Sequence, residues 1–255
     1  LANATTYTSY KAVKTLSFSS SNCAFKIGDD DTASVTQSFD IAGNYYLINR
    51  VNSAETKGRI YVYNKSTNKK VTAFTTATLQ HANGSLYNPI NGYHYVGMGE
   101  AMGIRRFNTA SLTSSLPDLG KSFTNLKVSR LAYDRGLNLM YFGLTGEKTI
   151  AIFDESDREL YRVSRKIRGT NQDFFAYNGV LYAIHYDSDS SYKTGKNTVD
   201  MYRIMDAAYL GSIVLSYDEE IQSIDLFDDN TVALLFYLDH ESACVIKSNQ
   251  FILYK

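Results

Sequence analysis

The sequence predicts an all-β fold, a five-bladed β-propeller whose last blade is closed by the N-terminal strand. Three observations carry this: a composition suited to strands, a repeat of about 45 residues that recurs five times, and two chain ends that complement each other. Of 255 residues 21 are Tyr and 13 are Phe, and only 2 are Pro, so the chain favours pleated, half-buried surfaces over helices. Apolar residues make up 44%, enough for a large core, yet no apolar run is longer than a strand such as Val232 to Leu238. No membrane span is therefore expected. Lys plus Arg and Asp plus Glu each number 26, so no basic surface points to a nucleic-acid partner.

The repeat begins with an inner strand that carries a small polar residue near its start. The five copies are Gln37 to Ala42, Ala82 to Tyr87, Val128 to Tyr133, Gln172 to Tyr177 and Gln222 to Phe227. Each runs into a turn rich in Gly, Asn or Asp and then into a strongly apolar strand. These second strands are Tyr45 to Val51, Tyr93 to Met98, Leu139 to Leu144, Val180 to Tyr186 and Thr231 to Leu238. Third strands are predicted at Arg59 to Tyr63, Ile104 to Phe107, Thr149 to Phe153, Thr198 to Tyr202 and Gln250 to Tyr254. The polar positions 38, 83, 129, 173 and 223 are spaced by 45, 46, 44 and 50 residues, the size of a four-stranded blade. Blades are expected at about 37–80, 81–125, 126–169, 170–219 and 220–255 together with 7–20, forming a single domain.

Fourth strands read at Lys70 to Thr75, Leu160 to Ile167 and Leu210 to Tyr217, with a weaker one around Leu112 to Leu116. The fifth repeat has none. The N-terminal segment Lys11 to Phe18, similar to Lys69 to Thr76, is expected to supply it beside Gln250 to Tyr254 and so to pair the open edges of a ring. This arrangement brings Cys23 and Cys244 to one end of one blade and predicts a disulfide between them, the alternative being two reduced, half-buried thiols.

Ligand sites on such folds lie at the channel mouth, on the face that collects the loops from second to third strand and from fourth strand to the next blade. The residues placed there are Gln37, Ser38, His81, Asn83, Ser129, Arg130, Gln172, Asp173, His185, Gln222, Ser223 and His240. A polar ring of this kind also serves simply to satisfy the inner strand ends. A carbohydrate, peptide or protein ligand and a monomeric chain are expected. The alternative is a metal-assisted hydrolase or lyase acting through His81, Asp173, His185 and His240.

No cofactor is expected, the sole candidate being calcium at Asp187 to Tyr192, where alternate oxygen ligands lack the later Gly and Glu. Gly28-Asp29-Asp30-Asp31 reads as a solvated turn. Ser66-Thr67-Asn68-Lys69 matches Ser-x-x-Lys but falls on an outer turn. Two carboxylates across the channel would suit glycoside hydrolysis, and the inner strands offer Asp40, Asp173 and Asp225; strand alternation is expected to turn Asp173 away from the other two.

The stretch Tyr87-Asn88-Pro89-Ile90-Asn91-Gly92-Tyr93-His94-Tyr95-Val96 resembles the strand, turn and strand of YVTN-type bacterial propeller repeats. His81-Ala82-Asn83, after the Gln-Ser-Phe-Asp start of the first blade, is similar in style to secreted Gram-positive propellers, including helveticin-like bacteriocins. The resemblance implies a secreted or cell-surface binding protein and assigns no catalytic residue. A first residue other than Met is consistent with a mature secreted protein or a trimmed chain.

Overall fold

The computed structural model describes residues 12–28, 33–76, 79–145, 149–164, 171–186, 197–238 and 242–254. His240, Asp239 and the loop Asp187 to Tyr192 lie outside them, as does the Asp29 to Asp31 run. Two strands come first, β1 (Ala12–Ser17) and β2 (Cys23–Ile27), separated by a 3-10 turn at Ser20–Asn22. Four antiparallel neighbours follow: β3 (Val35–Ala42), β4 (Tyr45–Val51), β5 (Gly58–Asn64) and β6 (Lys70–Thr76). Next are β7 (Ser85–Asn88), β8 (Tyr93–Gly97), β9 (Met102–Asn108) and the long β10 (Asp118–Asp134), then β11 (Leu139–Leu144), β12 (Thr149–Asp154) and β13 (Glu159–Ser164). After them come β14 (Asn171–Tyr177), β15 (Val180–Tyr186), β16 (Asn197–Arg203) and β17 (Ala208–Ser216). The last are β18 (Glu220–Asp228), β19 (Thr231–Leu238) and β20 (Ser242–Ser248).

The strands hydrogen-bond into four sheets, because β10 belongs to two groups at once. Its first half pairs with β9, from Asp118 opposite Phe107 to Lys127 opposite Met102, and its second half pairs with β11. The fourth strand expected near Leu112 to Leu116 is thus the first half of β10, and 109–117 forms the loop before it. The remaining second strands, and the third strands up to Asn197–Arg203, lie where the repeat places them.

The chain ends depart from expectation. The segment expected beside Gln250 to Tyr254 does not pair there: its described part, Ala12–Ser17, forms β1, which lies parallel to β17 as an extra outer strand, with Ser17 opposite Ser216. The strand that completes the last group is β2, antiparallel to β20. The third strand of that group is Ser242–Ser248, whereas Gln250 to Tyr254 is irregular and docks on the fourth group, where the Tyr254 N–H donates to Tyr182 Oη at 3.1 Å. Burial explains the exchange. In β1 only Leu16 is buried, as suits an edge strand, whereas β2 brings Ile27 to complete burial and Ala243 to Ile246 of β20 are buried throughout.

Why the second strands read as unbroken apolar runs follows from their packing. Alternate side chains leave opposite faces of a strand, and here both faces are covered. Val180, Tyr182 and Ile184 join a cluster with Ile221, Val232 and Phe236 on one side, while Leu181 and Ala183 join Tyr141 and Ile152 on the other. Likewise Tyr46 and Ile48 pack with Leu235 and Val245, and Leu47 and Val51 pack with Val96 and Phe107. Each described group thereby shares one apolar cluster with the next, and the last shares one with the first. Losing a fully buried aromatic such as Phe236 would cost about 3–5 kcal/mol.

Cys23 and Cys244 form the expected disulfide, with their Cα atoms 5.6 Å apart. The bond lies between the adjacent strands β2 and β20 rather than between a strand end and a loop. Among the described residues no helix is long and apolar enough to cross a membrane.

Candidate functional site

Inner strands β3, β7, β10, β14 and β18 contact one another in ring order, β18 returning to β3. In four of them the pairing slips by one residue at equivalent places, between Thr36 and Ser38, Val128 and Arg130, Asn171 and Phe174, and Ile221 and Ser223. The extra residue is Gln37, Ser129, one of Gln172 and Asp173, and Gln222. The polar start of the sequence repeat is therefore a repeated β-bulge, a device that bends a strand and re-aims its side chains. In the remaining repeat β7 begins only at Ser85, and Asn83 and Gly84 precede it.

At the bulges lies a cluster of amides and carboxylates. Gln172 Nε2 donates to Glu220 Oε1, and Gln222 also hydrogen-bonds Glu220. Burial raises the Glu220 pKa, against the opposing pull of the Gln222 bond and of His81. His81 Nδ1 contacts Glu55 Oε1 at the exposed rim, and Lys127 Nζ lies 3.5 Å from Glu100. Glu220 is not among the sequence candidates: it stands two residues before Gln222 at the start of β18, and no spacing marks it.

One layer deeper, polar groups stitch the inner strands together. Ser223 Oγ donates to Asp173 Oδ2 at 2.6 Å, and Asp173 Oδ1 accepts the N–H groups of Phe174 at 2.8 Å and Leu131 at 3.4 Å. Ser38 Oγ donates to the Ala82 carbonyl at 2.7 Å and accepts from Asn49 Nδ2. Burial, more than any other influence, pushes the Asp173 pKa well up, and burial lowers that of Arg130 against the attraction of Asp173. Gly84 is required here. A Cβ on it would lie 2.5 Å from Arg130 Cα and 2.7 Å from Asp173 Oδ1. Ser129 Oγ and Asn83 Oδ1 are buried without a hydrogen-bond partner among the described residues.

Two residues further along the inner strands, Asp40 and Asp225 share a narrow pocket with Arg135, Ser85 and Tyr87. Its interior volume of about 10 Å³ has room for about one water molecule. Asp225 Oδ2 accepts the Ile41 N–H at 2.6 Å, and Arg135 donates to the Ile41 carbonyl at 3.0 Å. Asp40 Oδ2 lies 3.1 Å from His94 Nδ1. Asp173 is not turned away from this pair, for its Oδ2 accepts from Ser223, two places before Asp225 on β18, at 2.6 Å, and the Asp40 charge raises the pKa of both Asp173 and Asp225. Asp40 and Asp225 stand two places beyond the column of Ser38, Asp173 and Ser223, and an even step keeps one face.

Of the sequence candidates, Asp173 meets Ser223 and Arg130, Ser38 bonds instead to Ala82 and Asn49, and Gln172 and Gln222 meet on Glu220. Gln37 is buried at its bulge. His185 is only 5% exposed, and its Nε2 lies 3.3 Å from Asp200 Oδ2, whose carboxylate also accepts from Ser212 and Tyr202. His81, Asp173 and His185 thus have separate partners. Among the described residues no three His, Cys, Asp or Glu side chains group as a metal site.

Strands radiating in ring order with shared apolar faces define a β-propeller, and comparison with known structures agrees. The chain is similar to a structure titled nidogen/laminin complex, at 9% identity and a TM-score of 0.51, over 80% of this chain and 73% of that one. It is similar to U3-55K at 11% identity and a TM-score of 0.50, over 83% and 77% of the two chains. A weaker likeness, TM-score 0.47 at 12% identity, is to hydrazine synthase of Kuenenia stuttgartiensis, covering 82% of this chain and only 57% of that one. No family model and no curated protein matches the sequence.

Proposed function

We propose that the chain is a binding propeller of five blades, closed by β2, which is secreted or displayed at a cell surface and holds a carbohydrate, peptide or protein partner at the channel mouth. The five apolar clusters that link successive groups, including last to first, support the blade count and the closure. The disulfide supports an oxidising compartment. The observation that carries the binding role is the Glu220 cluster. Its amide donors and exposed His81 rim present hydrogen-bonding groups around the mouth, while the deeper carboxylates are engaged in holding strands together rather than poised for proton transfer.

The test uses the full chain on a printed glycan array and against a random-peptide phage library. Selected ligands are then measured with wild type and with Glu220→Ala/Gln172→Ala. The reading expects a ligand whose affinity falls about tenfold or more in the double variant, as loss of charge-assisted hydrogen bonds entails, with unchanged thermal unfolding. Ligands that bind the variant equally well would remove the mouth as the site.

A further inference from the structure

Opposite the proposed mouth, the turn Gly43-Asn44 and the loop Thr109 to Thr113 flank an open cleft of about 270 Å³ between the first and second groups. Its floor is apolar, formed by Leu112 and Ala42, both buried. Its walls carry Asn44, Tyr45, Tyr87, Ser111 and Thr113, and no charged side chain lines it. The loop is held in place by its own backbone. Thr109 donates through both N–H and Oγ1 to the Gly92 carbonyl, and Ser114 and Ser115 N–H groups donate to the Ser111 carbonyl at 2.9 and 2.8 Å. On the other wall the Asn44 carbonyl accepts from Lys65 N–H at 2.8 Å. Backbone demands are thus met within the loops, while the side-chain polar groups of the five wall residues make no hydrogen bond among the described residues.

We infer that this cleft is a second ligand site, independent of the mouth, that takes a single neutral polyhydroxylated ring such as a hexose. An ionised ligand would find no countercharge there. Hydroxyls and an amide that both donate and accept match a ligand whose own groups do the same. Tyrosine rings and Leu112 offer apolar contact to the C–H faces of a sugar ring, and a volume of about 270 Å³ accommodates about one ring. Preformed walls spare the binding step the cost of ordering a loop.

The test titrates the full chain with glucose, galactose, mannose, N-acetylglucosamine and myo-inositol separately, following the tyrosine ring signals by NMR. The expected result is a shift of Tyr45 and Tyr87 resonances by at least one of these, with a dissociation constant on the order of 1 mM. Tyr45→Phe and Ser111→Ala each weaken it about tenfold, as loss of a hydrogen bond does. Ala110→Trp, at an exposed position that overhangs the cleft, abolishes it without lowering the unfolding temperature, and Glu220→Ala leaves it unchanged. No shift with any of the five compounds, or shifts that persist in Ala110→Trp, would overturn the proposal. Because the mouth is read through Glu220→Ala and the cleft through Ala110→Trp, either site can fail alone.

Discussion

Replacing Cys23 and Cys244 by Ala, or reducing the bond, should destabilise the native state by several kcal/mol without unmaking the fold. The bond spans 221 positions, so in the unfolded chain it closes almost the whole sequence into one loop. Loop-closure entropy for that length corresponds to about 5 kcal/mol at room temperature. In the native state β2 stays registered on β20 through backbone pairing, and Ile27 stays buried, so little native structure depends on the sulfurs themselves. Urea unfolding followed by near-ultraviolet circular dichroism, with and without a phosphine reductant, measures the difference directly. A loss of about 3–5 kcal/mol with an unchanged native spectrum is expected, equivalent to a fall in unfolding temperature of about 10 °C. A loss below about 1 kcal/mol, or collapse of the native spectrum on reduction, would refute the view that the bond acts on the unfolded chain while β2 is held on β20 by its own pairing.

Burial first, and then the Asp40 charge, push the Asp225 pKa up to about 6, against the pull of Arg135. The folded chain therefore binds a proton more tightly than the unfolded one, and the contribution of this carboxyl to stability is greatest below about pH 4 and is lost as pH rises to about 6, by at most about 3 kcal/mol. Asp225→Asn should flatten that part of the urea-midpoint profile relative to wild type, and the difference cancels exposed carboxylates such as Asp206, whose pKa is held low by Arg203; identical profiles would contradict the assignment. Asp173→Asn should unfold within about 1 kcal/mol of wild type at neutral pH, because the amide can donate to Ser223 Oγ and still accept from Phe174 and Leu131; a larger loss in the same urea titration would show that the carboxylate charge is needed. Gly84→Ala should cost about 1–3 kcal/mol, because the new methyl meets backbone atoms of Arg130 and Leu131 that cannot swing aside; a neutral effect on the urea midpoint would mean that the inner strands can spread.

Local chemistry made much of this architecture readable from the sequence. Turn residues such as Asn178-Gly179, both at positive φ, and the unbroken apolar second strands recur at a fixed period because every repeat meets the same two-sided packing. The cysteine pairing was legible for a related reason: any closure of the ring by the N-terminal region brings residues 23 and 244 to the same sheet. Register at the ends was not legible. Lys11 to Phe18 and Cys23 to Ile27 both have strand character, and which of them faces β20 depends on where Ile27 and Phe25 find apolar partners, namely Tyr46, Tyr63 and Val245 on two distant segments.

The functional surface divides in the same way. The sequence by itself determined a column of polar residues at the start of the inner strands, because their type and spacing are local properties. Only the tertiary structure decided that four of these five strand starts are β-bulges, that Glu220 gathers Gln172 and Gln222 from two inner strands, that His185 belongs to Asp200 within its own sheet, and that a neutral cleft opens between the first two groups. Each of those depends on which strands pair and pack side by side, and that is set by how the sheets assemble rather than by anything one segment carries.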